Sequence, residues 1–135
     1  MTEITKPYRI MLIIDIVICL AVSIPYMFLI GTWSPLIEYS YSTPWYAQIF
    51  GVLLFMIAVW LLRAILQKKE WHDISYFMEF LFAILFGMII YFALELLFVE
   101  LTDIALIYAI VSTSVTGALF VANMIFYFIE TAKHK

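Results

Sequence analysis

The sequence predicts an all-α integral membrane protein, an antiparallel bundle of four transmembrane helices with both termini in the cytoplasm. Three observations lead there. Hydrophobic residues make up 67% of the 135 positions and charged residues only 13%, against about 45–50% and about 25% in soluble domains. The apolar residues fall into four long runs, and mean hydropathy is +1.09. A globule this small cannot hide so much apolar surface, so lipid has to cover the remainder. Third, all seven Lys and Arg lie on one side of the predicted membrane.

The first run, about 10–31, follows a short polar lead. It is too long for a signal-peptide apolar region, and Ile24-Pro25-Tyr26 interrupts it where a small-residue cleavage site belongs, so it is read as a retained helix kinked near its outer end by Pro25. The second run, about 45–66, opens behind Pro44; the third covers about 74–98 and the fourth about 104–129. Each exceeds or meets the roughly 20 residues that cross a ~30 Å hydrocarbon core at ~1.5 Å per residue. None alternates as a barrel strand does. The whole chain, 1–135, is read as one domain.

Charges sit where the chain leaves lipid. Lys6 and Arg9 precede the first helix, Arg63, Lys68 and Lys69 surround the second loop, and Lys133 and Lys135 end the chain. The opposite side carries Glu38, Glu100 and Asp103 without a basic residue. Under the positive-inside rule this split orients both termini to the cytoplasm, in what is expected to be the plasma membrane. Trp33, Trp45 and Tyr46 are expected at the outer interface, and Tyr8, Trp71 and Tyr76 at the inner one.

Net charge of −3 argues against nucleic acid as a partner. The single cysteine, Cys19, cannot form an intrachain disulfide and reads as a packing residue. Both histidines, His72 and His134, fall in cytoplasmic segments, which disfavours an intramembrane haem, zinc or Ser–His site. No phosphate-cradling glycine loop exists among four glycines. No cofactor is expected.

Ionisable and amide groups in hydrocarbon are costly and therefore informative. Asp15, Arg63, Glu79 and Asn123 fall at similar depth, one per helix, near the cytoplasmic side. Arg63 is the basic residue inside a span, so a pairing with Asp15 or Glu79 is expected. Near the outer side lie Gln48 and Glu95, the latter with no basic residue on its side. Ser112-Thr113-Ser114 and Thr116 mark the middle of the fourth helix, where hydroxyls bond to carbonyls four residues earlier. Helices one and three each carry an acid about five residues from the inner end (Asp15, Glu79), a faint hint of duplication.

Small residues four apart, Ala47/Gly51, Ala83/Gly87 and Thr113/Gly117, with Ser114/Ala118/Ala122 beside them, are expected helix-packing points within the bundle or against a partner. Chain length, layout and Asp15 in the first helix resemble the small multidrug resistance transporters. Four glycines and a strong charge bias depart from that family, and no activity is carried over. The segment Pro44-Trp45-Tyr46-Ala47-Gln48-Ile49-Phe50-Gly51 is similar to the start of the second helix in small DoxX-type four-helix proteins, over eight residues.

Functionally, the leading expectation is a non-enzymatic accessory or assembly subunit of a membrane complex or homo-oligomer, partnered by lipid and by a membrane protein or itself. The alternative is a transporter or binding protein that uses Asp15, Glu79 and Glu95 for protons, a cation or a lipid-soluble ligand. A membrane-embedded isomerase would need Asp15 and Glu79 on neighbouring helices.

Overall fold

A computed structural model describes residues 3–29 and 44–135, with side chains from residue 48 onward in the second segment. Four helices account for nearly all of them: α1 (Lys6–Phe28), α2 (Pro44–Leu66), α3 (Trp71–Phe98) and α4 (Asp103–Lys133). All four are long and apolar enough to cross a membrane. Their outer faces carry large apolar side chains such as Val17, Met56, Phe80 and Ile107, each more than half exposed, which water would not tolerate over such an area.

The helices outrun the apolar segments at their polar ends. Thr5 and Pro7 start α1 before its first apolar run, because proline in the first turn has no amide to leave unsatisfied. Glu70 precedes α3 in extended conformation, and Asp73 in its first turn complements the helix dipole. The Thr102 hydroxyl accepts from the Ala105 amide at 3.4 Å and begins α4. At its far end α4 continues four residues past Ile129, with Lys133 in the last turn. An end of hydrophobicity ends the membrane segment, not the helix. At ~1.5 Å per residue α4 (31 residues) is about 46 Å long, more than a ~30 Å hydrocarbon core needs.

The chain folds as two hairpins. α1 lies along α2 and α3 along α4, whereas α1–α4 and α2–α3 approach at few positions. Among the described residues α1 and α3 stand diagonally, with no close approach of their backbones. One apolar core joins all four helices, centred on Leu12, Leu61, Ile74, Met78 and Leu81. Gly51 sets the tight α1–α2 crossing: an added Cβ would stand 2.9 Å from Tyr26 Cβ and 3.1 Å from the Met27 backbone nitrogen. Gly87 and Gly117 have open space in that direction, so they are not close-approach points of this bundle. Ala118, beside Gly117, is exposed on the outer face of α4. The Ala47/Gly51 pairing lies partly outside the described side chains.

The start of α1, the end of α2, the start of α3 and the end of α4 share one end of the bundle. Tyr8 packs edge-on against Trp71 at 5.1 Å, and Trp71 stacks on His134 at 5.7 Å. Glu3, Arg9, Lys68 and Lys69 surround a small cleft there. The seven basic residues gather at this end. At this end Tyr8 and Trp71 are buried in the core, while Tyr76 is exposed. Glu38 and Trp33 lie outside the described residues.

Candidate functional site

Side-chain hydrogen bonds tie α1 to α4, the seam where the backbones are least intimate. At the basic end the Thr5 amide and hydroxyl donate to the two carboxylate oxygens of Glu130, at 2.7 and 2.6 Å. His134 Nε2 lies 3.0 Å from the same carboxylate. Further in, Asn123 Nδ2 donates to Asp15 Oδ1 at 2.8 Å and to the Leu119 carbonyl at 3.0 Å. Asp15 and Asn123 are both fully buried. Towards the other end the hydroxyls of Tyr26 and Tyr108 are bonded to each other. Thr5 works here because it precedes α1, where its amide has no partner inside the helix.

Asp15 and Asn123 therefore meet, as two members of the expected polar layer. The other two do not join them. Arg63 is exposed at the flank of α2 and donates to Gln67 Oε1 at 3.3 Å, one turn along its own helix. The expected pairing of Arg63 with Asp15 or Glu79 is not made. Equal depth sets the level of a residue, but rotation about the helix axis, which depth does not encode, turns Arg63 outward. Glu79 is exposed on α3 and accepts from the Tyr127 hydroxyl at 3.4 Å. With Asp15 buried and Glu79 exposed, the two acids are not equivalent, and they stand on diagonal helices whose backbones do not approach. Glu95 is half-buried near the end of α3, and Gln48 is exposed on α2. Neither joins the seam.

Within the layer, Tyr8 Oη, Asp15 Oδ2 and Asn123 Oδ1 are buried with no hydrogen-bond partner among the described residues. Burying polar atoms in this way costs stability. Cys19, 2% exposed, packs in the core below Asp15.

An open cleft of about 320 Å³ lies between α1, α3 and α4, away from the basic end. Val22, Pro25, Tyr26, Tyr108, Ser112 and Thr116 contribute to its wall. Pro25, which carries no amide hydrogen to donate one turn back, lies in the same wall as Ala21. On α4, Thr113 and Ser114 donate to the Ala109 and Ile110 carbonyls at 2.7 and 2.8 Å, the expected back-bonding. Ser112 and Thr116 instead face the cleft. The sequence signal for this wall was the proline in α1 opposite the hydroxyl cluster in α4; the missing information was that the two helices are neighbours.

The fold and this wall define a four-helix bundle of membrane-spanning length with a lateral, mainly apolar cleft. Compared with protein-family models, with curated proteins and with solved structures, the chain matches none of them.

Proposed function

We propose that this chain is a small membrane-embedded binding protein for a lipid-soluble molecule that carries a hydroxyl or carbonyl head on an apolar body. The observation that carries this reading is the cleft at the Pro25 kink. Its volume of about 320 Å³ suits a small ring system or part of an acyl chain. Apolar side chains make most of the wall, while Ser112 and Thr116 bring hydroxyls that can donate to or accept from a polar head. Asp15 and Asn123, on this reading, lock α1 to α4 and hold the cleft open rather than touch the ligand.

A photoactivatable fatty alcohol added to the chain in lipid nanodiscs tests it. Crosslinks are expected on residues 21–26 and 108–116, and Val111→Trp, which fills the cleft, is expected to abolish them. Equal labelling of the Val111→Trp variant would defeat the reading.

The bundle is proposed to sit in the plasma membrane with both termini in the cytoplasm, because the seven basic residues crowd one end. Cysteines placed at Ser40 and Lys69 are expected to label from outside and inside respectively. Labelling of both from one side would overturn the topology.

A second reading, an accessory subunit or homo-oligomer, is favoured by the open faces at Gly87 and Gly117, where small residues leave room for another helix. A stoichiometric partner, or a dimer, surviving purification in mild detergent is expected on that reading; a lone monomer counts against it.

A further inference from the structure

A second concavity opens on the other loose seam, between the end of α2 and the first turns of α3. It measures about 340 Å³ and is lined by Trp60, Arg63, Lys69, Asp73, Tyr76 and Phe77. We infer that this wedge binds a phosphate-bearing anionic group at the membrane surface, with Arg63 and Lys69 as its two cationic contacts.

The cations are available. Arg63 is engaged only through Nε, at 3.3 Å from Gln67, which leaves its terminal amino groups to grip an oxyanion. Lys69 reaches the wedge through the turn that ends α2. There the Lys68 amide bonds to the Ile65 carbonyl and the Lys69 amide to the Ala64 carbonyl, and Lys68 takes a left-handed φ of 50°. Glycine usually occupies that position. The turn thus carries a strained residue beside a cationic cavity, and its effect is to bring Lys69 back against the helix it has just left.

The rest of the wedge holds one opposing charge and an apolar floor. Asp73 is the single acid in the wall, and its carboxylate lies 3.9 Å from His72 Nδ1. Below the cations Trp60 and Phe77 stack at 3.5 Å with planes 10° apart, a flat apolar floor. Leu62, Leu66 and Phe80 stand exposed on the same two helices and offer contact to acyl chains. Basic pockets between membrane helices on the cytoplasmic side bind anionic headgroups, and the proposed topology places this wedge on that side. A soluble phosphate monoester carries the same chemistry.

The test uses the full chain, delipidated in detergent and titrated under native mass spectrometry with phosphatidylglycerol, phosphatidylcholine or glycerol 3-phosphate. Phosphatidylglycerol is expected to bind in preference to phosphatidylcholine. Arg63→Gln with Lys69→Gln should weaken it about 25-fold, at about fivefold per cation near the surface. The remote pair Lys133→Gln with Lys135→Gln should leave it unchanged. Asp73→Asn, which removes the opposing charge, should tighten binding, and this outcome stands even if the Arg63/Lys69 variant folds poorly. Glycerol 3-phosphate bound as tightly as the lipid, and lost in the same variant, would support the site and assign its ligand to water. Equal weakening by both cation pairs, no preference between the lipids, or no effect of Asp73→Asn would overturn the inference.

Discussion

The Asn123 amide of α4 reaches across to the Asp15 carboxyl of α1 at 2.8 Å, with both side chains fully buried. Within a membrane bundle such a bond is of modest strength, but either partner alone leaves a buried polar group unsatisfied. The consequence is an asymmetry between single and double replacement. Asn123→Leu should destabilise the bundle by about 1–3 kcal/mol, while Asp15→Leu combined with Asn123→Leu should come close to neutral. Unfolding of each variant in bicelles measures both; a double variant as unstable as the sum of the singles would refute the account.

Glu130 closes the same seam at the basic end. Burial alone would raise its carboxyl, but the Thr5 hydroxyl, the Thr5 amide and the His134 ring outweigh it and hold the group below the ordinary glutamate range. A depressed folded-state value means that this stabilisation is present in full above the ordinary range. It is lost as pH falls through the lower folded value. Glu130→Gln should remove about 2 kcal/mol near neutral pH and flatten that acid limb. Melting in detergent across the acid range checks it, and an unchanged limb in Glu130→Gln would count against the clamp.

The three described glycines should respond differently to alanine. Gly51→Ala puts a Cβ against Tyr26 and the Met27 backbone, so the hairpin has to part, at a cost of about 1–3 kcal/mol. Gly87→Ala and Gly117→Ala meet nothing and should be neutral, or stabilising by up to about 1 kcal/mol through helix propensity. Thermal melts rank them. Losses at Gly87 or Gly117 that depend on protein concentration would instead reveal self-association through those faces.

Lys68 holds a left-handed backbone at φ 50°. Replacement by glycine removes the steric penalty of a Cβ there and should stabilise the chain by about 1 kcal/mol. Lys68→Ala retains the Cβ and should bring no such gain. A melt in which glycine and alanine behave alike would show that the turn is not strained.

The sequence by itself determined the solvent and the elements. Apolar runs of membrane-spanning length, separated by clusters of charge, leave a chain no other way to satisfy its backbone, so the four helices are legible within a few residues. It also determined which residues are chemically expensive: Asp15 and Asn123 share a depth, and that sharing proved to be a contact. Tertiary structure alone decided the rest. Depth follows from counting residues, but the face that a side chain occupies depends on how each helix rotates and which helix stands beside it. That rotation buried Asp15 and turned Arg63 and Glu79 outward; it also drew Tyr8 and Trp71 into the core. Helix order decided that Pro25 faces Ser112 and Thr116, and that Glu130, outside every apolar run, caps α1 from the far end of the chain. In lipid, apolar faces are nearly interchangeable, so hydrophobic pattern cannot select among rotations; close packing at Gly51 and a few directional hydrogen bonds do.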